Sequence, residues 1–268
     1  MSDSNLSGRS GEEPPSAPAG RVLLIGASRG LGLALAREWA RGGRQIVATV
    51  RGTARTALHD LADSLADDHD HADDHDHADT GAGAGSGRIE IETVDITDPE
   101  QIAALSDRLT EAHRTFDLLF VNAGVASSPE DTVARTPTEE FVRVMVTNAL
   151  GPLRVIEALQ DRVAPAGTIA VMSSGQGSVA NNEHGGHEVY RGSKAALNTF
   201  MRSYAARHTG EPRPLVLMAP GWVRTDLGGP GALLDVDESI PNLVRTLDTL
   251  RDSPGLHYVD YLGRTVPW

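Results

Sequence analysis

The 268-residue chain contains no cysteine and no hydrophobic run long enough to cross a membrane. The missing thiols exclude disulfide bonds, thiolate metal ligands and cysteine nucleophiles. The longest apolar runs, at 22–25 and 118–121, have the length of strands rather than of a membrane-spanning helix. The first residues lack the basic start and the apolar stretch of a signal peptide. These absences predict a cytoplasmic protein without a membrane partner.

Basic residues are also in deficit, because 24 Lys and Arg face 37 Asp and Glu and leave a net charge of −13. This balance argues against a nucleic-acid partner. Much of the excess lies in the tract Asp67–Asp79, DDHDHADDHDHAD, and without its seven aspartates the net charge would be −6. The acidity is therefore largely a local feature.

The same tract contains imidazoles and carboxylates, which are ligands for zinc, nickel or copper. Metal sites need fixed geometry, however, and the neighbouring glycines and alanines supply no rigid scaffold. We expect a low-complexity insertion over about residues 67–87 and no metal site, with weak metal binding as the alternative.

Residues 1–19 are rich in Ser, Gly, Pro and Glu and are typical of a disordered tail. From residue 20 to residue 268, apolar runs alternate with helical spacing. Predicted strands lie at 22–25, 45–50, 89–94, 117–121, 168–172, 214–218 and 257–259. Predicted helices lie at 31–41, 55–66, 99–114, 138–163, 189–208 and 237–252, with an irregularity at Gly151-Pro152. The alternation predicts an α/β fold: a doubly wound, Rossmann-like parallel sheet in a three-layer α/β/α single domain.

A glycine-rich turn, Gly26-Ala-Ser-Arg-Gly-Leu-Gly32, separates the first strand from the first helix. Glycines let a backbone approach a pyrophosphate, and a helix N-terminus offers free N–H groups. A turn that needs glycine only for its own backbone angles is the alternative. We predict a dinucleotide site formed by Gly26, Ser28, Gly30, Leu31 and Gly32.

Two arginines bear on the choice of dinucleotide. Sites that select NAD usually place an acid after the second strand, where it binds the ribose 2′-hydroxyl. Here the strand ends at Arg51, and Arg29 lies within the glycine turn. Because Arg binds phosphate in a bidentate manner, the pair favours NADP(H) over NAD(H).

Tyr190 and Lys194 are four residues apart in a predicted helix, so they share one face. A phenol ionises near pH 10, and a neighbouring cation lowers its pKa. The pair could therefore move a proton while a nicotinamide moves a hydride. Such pairs also arise by chance, and only a wider set of residues makes the proposal specific.

That wider set resembles the short-chain dehydrogenase/reductase family. Asn148, Ser174, Tyr190 and Lys194 match its catalytic tetrad in order and spacing, with Ser173 as the alternative serine. The remaining motifs are those that line the cofactor in the family: Gly26, Gly30, Gly32, Asp95, Ile96, Asn122, Ala123, Gly124, Pro220, Gly221, Val223 and Thr225. In this chain Ile25 and Val121 stand where the family usually has Thr and Asn.

A narrower similarity, carried by Tyr190-Arg191, residues 220–229 and the closing 263–268, is to sniffer-type carbonyl reductases and C-factor-like proteins. The resemblance implies an NADP(H)-dependent enzyme that reduces a small carbonyl compound or oxidises the alcohol. It also implies a homodimer or homotetramer packed through helices near 138–163 and 189–208. A dinucleotide-binding regulatory or signalling protein is the alternative. Specificity is expected in 127–137, 179–188 and the loop after Pro220.

Overall fold

The computed structural model describes residues 20–72, 87–126 and 132–268. Within these ranges the strands are β1 (Arg21–Ile25), β2 (Gln45–Val50), β3 (Ile89–Thr93), β4 (Phe116–Val121), β5 (Val163–Met172), β6 (Pro214–Ala219) and β7 (Gly255–Asp260). The α-helices are α1 (Gly30–Arg41), α2 (Ala57–Ala72), α3 (Pro99–Glu111), α4 (Thr138–Met145), α5 (Gly151–Leu159), α6 (Glu188–Arg207) and α7 (Val236–Thr249). The predicted tail, the segment 73–86 and residues 127–131 lie outside the described residues.

The strands form one parallel sheet in the order β3-β2-β1-β4-β5-β6-β7. The order reverses between β1 and β4, which places a crevice at their carboxyl ends, where such folds bind ligands. The predicted doubly wound sheet is thereby confirmed.

Each face of the sheet is covered by its own set of helices. Alternate residues of a strand point to opposite faces, so Leu23 packs with side chains of α3, α5 and α6. Its neighbour Leu24 packs with side chains of α1, α2 and α7. Burial on both faces explains why the strands are nearly continuous apolar runs, and it confirms the three layers.

The predicted helix over 138–163 is interrupted. α4 ends at Met145, and a π-helical turn, Val146–Leu150, precedes α5. In this turn the N–H of Gly151 donates to the carbonyl of Val146, five residues earlier. Pro152 has no N–H to donate, so an α-helical ladder cannot continue through it. The irregularity therefore begins before Gly151-Pro152.

A second difference concerns α2, which continues to Ala72. The predicted helix ended at residue 66, so the expected insertion at 67 begins with helical backbone. The apolar residues at helical spacing end at residue 66, because Asp and His replace them from residue 67.

Candidate active site

The glycine turn has a backbone that only glycine accommodates easily. Gly26 and Gly30 have φ values of +89° and +56°, in the left-handed region. A methyl group on Gly32 would overlap the Gly26 carbonyl oxygen and lie 2.6 Å from Asn122 Nδ2. That amide itself donates to the Gly26 carbonyl at 2.7 Å. Asn122 thus ties the end of β4 to the turn.

Thr49 on β2 supports the turn from the other side, a role that the sequence did not reveal. The Gly26 N–H donates to its hydroxyl at 2.9 Å, and the Ala27 N–H donates to its carbonyl at 2.8 Å. The Ile25 carbonyl accepts from Asn122 and Ala123 backbone N–H groups. β2 therefore supplies a side-chain hydroxyl to the start of the turn. A buried threonine in an apolar strand was the available indication.

The N-terminus of α1 is open to an anion. Its N-cap, Arg29, makes no side-chain capping bond, and the first turn carries no acid. The first N–H groups of a helix have no partner within the helix, and their dipole favours negative charge. A methyl group added to Gly30 would have Thr225 as its nearest neighbour, at 3.9 Å, so there is space beside the helix end. The turn and the helix end fit a dinucleotide pyrophosphate.

The two predicted phosphate-binding arginines lie on the surface. Arg29 pairs with Asp226 at 3.6 Å, and both side chains are about four-fifths exposed. Arg51, directly after β2, is also exposed. Asp95 follows β3, and its carboxylate accepts from the N–H and hydroxyl of Thr97. Ile96 is buried, with Gly151 packed against its carbonyl.

Lys194 is the single lysine of the chain, which has 23 arginines. It lies on α6 and is 4% exposed. Its Nζ donates to the Met172 carbonyl at the end of β5, at 2.8 Å, and lies 5.9 Å from the centre of the Tyr190 ring. Burial lowers the pKa of Lys194 to about 8.

The pKa of Tyr190 differs from the sequence expectation. Burial raises it, and a hydrogen bond with the Ser174 side chain opposes the increase. Lys194 was expected to lower this pKa, but its ammonium is directed to the Met172 carbonyl. Tyr190 is therefore held in the protonated form.

The two candidate serines have different environments. The Ser173 hydroxyl is buried and donates to Asn198 Oδ1 at 2.6 Å. Ser174 is half-buried, its Oγ accepts from the Gln176 N–H, and its side chain lowers the pKa of Tyr190. Ser174 is thus the serine that shares a site with the tyrosine.

Asn148 occupies the π-helical turn and is fully buried. Its Oδ1 accepts from the Val125 N–H, and its Nδ2 donates to the Val125 carbonyl and to Ser193 Oγ. A methyl on Gly124 would lie 3.4 Å from Asn148 Oδ1 and 3.6 Å from Lys194 Nζ. The amide therefore joins the β4 loop to α6, and the catalytic part that the tetrad match implies for Asn148 stays a prediction.

The loop after β6 contains the last predicted motif. The Pro220 carbonyl accepts from the Ser239 hydroxyl at 2.7 Å, and Gly221 has a φ of +84°. Val223 is buried, and the Thr225 hydroxyl accepts from the Gly228 N–H. Trp222 and Leu227 are 53% and 52% exposed, so neither belongs to the core. Of the predicted specificity segment 127–137, residues 127–131 lie outside the described residues.

Two kinds of feature are absent from the described residues: membrane-spanning helices and metal-binding clusters. No helix there is long and apolar enough to cross a membrane. Nor do residues 20–72, 87–126 and 132–268 hold a cluster of three His, Asp or Glu side chains able to bind a metal ion.

Known proteins share both sequence and fold with this chain. A protein from Burkholderia multivorans, described as a short-chain dehydrogenase/reductase with bound NADP, is 51% identical, with a TM-score of 0.84 over 94% of this chain and all of that chain. A carbonyl reductase from Pseudomonas aeruginosa in complex with NADP is 34% identical, with a TM-score of 0.76 over 93% of this chain and all of that chain. The C-signal of Myxococcus xanthus is 39% identical over 57% of this chain and 92% of its own length. The family model for short chain dehydrogenases matches residues 21–231, and the chain belongs to that family.

Proposed function

We propose that the protein is an NADP(H)-dependent carbonyl reductase, acting also in reverse on the alcohol, with Tyr190 as its general acid and base. The observation that carries this proposal is the position of Tyr190 beside the buried Lys194, whose Nζ lies 5.9 Å from the centre of the phenol ring, with Ser174 lowering the pKa of that phenol. A glycine turn suited to a dinucleotide precedes these residues in a fold that binds ligands at the carboxyl ends of its strands.

The preference for NADP(H) is supported by charge. Arg29 and Arg51 are exposed cations near the turn and the end of β2, where a 2′-phosphate would find bidentate partners. The similar Burkholderia and Pseudomonas proteins were solved with NADP. The turn glycines, Asp95 and the 122–124 segment would hold the rest of the cofactor, which supplies a hydride when bound.

Side chains of the protein would supply the proton that the carbonyl oxygen receives. Tyr190 would donate its phenolic proton to the carbonyl oxygen, and its raised pKa keeps that proton in place at neutral pH. Ser174 would hydrogen-bond the same oxygen and orient it. Lys194 would hold the cofactor ribose and become available for proton exchange as its lowered pKa approaches neutrality. Trp222 and Leu227, exposed on the loop after β6, suit a small or medium apolar substrate.

Tyr190→Phe should separate catalysis from cofactor binding. Purified protein should oxidise NADPH with a member of a panel of aldehydes, ketones and quinones, and more slowly with NADH. The variant should lose turnover by at least about a hundredfold, because a positioned acid is removed, while fluorescence titration shows unchanged NADPH binding.

Tyr204→Phe is the matched control, since Tyr204 is a buried tyrosine of the same helix that donates to Gln160 instead. Its turnover should be normal. Full turnover by the Tyr190→Phe protein would refute the mechanism.

A regulatory or signalling protein that binds a dinucleotide is the second candidate, motivated by the similarity to the C-signal. It predicts that Tyr190→Phe, still able to bind NADPH, restores the phenotype of a strain lacking the protein. Failure to restore the phenotype favours an enzyme.

We also propose that the protein is cytoplasmic.

A further inference from the structure

The carbonyl group of Ser174 accepts two hydrogen bonds, one local and one from a distant strand. The Gly177 N–H donates at 2.9 Å and closes the short turn that follows the serine. The Tyr258 hydroxyl donates at 2.6 Å. Tyr258 belongs to β7 and is 2% exposed. Because β6 separates β7 from β5, its side chain passes the intervening strand to reach the serine.

The other end of the same turn is held by α6. Asn198 accepts from the Ser173 hydroxyl at 2.6 Å and donates to the Gly177 carbonyl at 3.2 Å. It lies four residues after Lys194, so it shares the face of α6 that carries Tyr190. α6 therefore positions the tyrosine and one end of the serine turn together, and β7 holds the serine itself.

The Tyr258 ring is fixed in turn by the C-terminal residue. The Trp268 ring lies 5.3 Å from it, centre to centre, and the Arg202 guanidinium covers Trp268 at 4.6 Å. The Trp268 carbonyl accepts from the Ala180 N–H at 3.0 Å. The segment from Ser174 to Ala180 is thus attached at both ends to β7 and the chain terminus.

We propose that Tyr258 is a positioning residue, whose hydroxyl orients Ser174 toward the Tyr190 phenol and the substrate oxygen. The inference rests on the proposed function, since it concerns the same serine and tyrosine. Without this donor the Ser174 carbonyl keeps only its local bond, and the peptide can rotate. Lys194, Tyr258 and Ser174 lie near the Tyr190 phenol. Loss of the Tyr258 hydroxyl would leave Ser174 variable in orientation.

The test is Tyr258→Phe, which removes one oxygen and keeps the ring packed against Trp268. We expect kcat to fall about tenfold, the size of one lost hydrogen bond, with the Kd for NADPH unchanged. The pKa of Tyr190 should change as well, because the phenol loses the Tyr258 hydroxyl that raises it and part of the Ser174 hydrogen bond that lowers it, so the alkaline limb of the pH–rate profile should move. Tyr204→Phe, which loses a hydroxyl bond of equal 2.6 Å length, should change neither kcat nor this limb.

A double-mutant cycle separates positioning from a general structural effect. In a Ser174→Ala background, Tyr258→Phe should cause no further loss, because the side chain that it orients is gone. An equal loss in both backgrounds, or an unchanged kcat and pH profile in the single variant, would overturn the proposal. If Tyr258→Phe fails to fold, Trp268→Leu replaces it, because Trp268 packs against the Tyr258 ring and is partly exposed. This variant should lower kcat when Ser174 is present and cause no further loss in the Ser174→Ala background. An equal loss in both backgrounds would overturn the proposal. Activity retained by Tyr190→Phe would instead contradict the proposed function.

Discussion

Lys194 shows at the scale of one residue why composition carries functional information. Every other cationic side chain of the protein is an arginine. Arginine remains protonated under all ordinary conditions, whereas a buried lysine can lose its proton near neutral pH. A guanidinium would also need more partners than the one carbonyl that Lys194 contacts. A lysine therefore supplies a compact cation that can titrate at this buried position.

The single lysine also makes its pKa directly measurable. Protein labelled with lysine carrying ¹³C at Cε should give one side-chain resonance whose titration midpoint lies near pH 8, because burial disfavours the ammonium. Denatured protein should titrate near the ordinary value of 10.5. A midpoint near 10.5 in the folded protein would contradict the burial of this group.

A stability change follows from the same shift. Between pH 8 and pH 10.5 the unfolded state binds more protons than the folded state, so the free energy of unfolding rises with pH across this window. At pH 7 the folded protein bears the full cost of the charge. Lys194→Met should therefore raise the free energy of unfolding at pH 7 by about 3 kcal/mol, and by less at pH 10. Urea denaturation at both pH values measures the difference.

At the scale of elements, we expect the glycine turn and the end of β2 to select the cofactor. Arg29→Ala and Arg51→Ala should each weaken NADPH binding about tenfold through the loss of a charge-assisted hydrogen bond, and leave NADH binding nearly unchanged. Asp226→Asn should strengthen NADPH binding slightly, because its carboxylate lies 3.6 Å from Arg29. Calorimetric titration with both dinucleotides gives these affinities.

Arg37→Ala is the matched control for the arginine variants, since Arg37 is an exposed cation of the same helix, α1. It should alter neither affinity. Equal weakening of NADPH and NADH binding by Arg29→Ala and Arg51→Ala would contradict recognition of the 2′-phosphate.

Sequence patterns located all seven strands of the described residues, although β5 begins at Val163, five residues before its predicted start at 168, and they predicted the helical irregularity only in part. β2 begins and ends as predicted, because a strand buried on both faces is an apolar run bounded by polar residues. The π-helical turn at 146–150 was not predicted, since a single i→i+5 turn inside a helix has no residue signature of its own. Tyr258 and Thr49 were missed for another reason. Their partners lie 84 and 23 residues away in the chain, and only the sheet brings them together.

At the scale of the whole molecule, exposed apolar side chains on α4 and α6 are the basis for a prediction of self-association. Phe141 and Val142 on α4, Leu150 in the π-helical turn and Phe200 on α6 are between 38% and 49% exposed. The two helices also pack against each other, so these side chains belong to neighbouring elements. Large apolar side chains grouped at a surface are typical of a protein interface, and cyclic symmetry would pair the same surface of two copies.

We therefore predict a homodimer, or a homotetramer that contains this dimer, in solution. Light scattering coupled to size-exclusion chromatography should give at least twice the monomer mass of 28.4 kDa. The double variant Phe141→Glu, Phe200→Glu should shift the mass toward that of the monomer, because each interface would bury four unpaired carboxylates. Ala103→Glu, which adds a charge to the exposed side of α3, should leave the mass unchanged. A monomeric wild-type protein, or a double variant of unaltered mass, would place the interface elsewhere or remove it. The active site draws its serine, tyrosine and lysine from one chain, so a dissociated variant should retain measurable turnover.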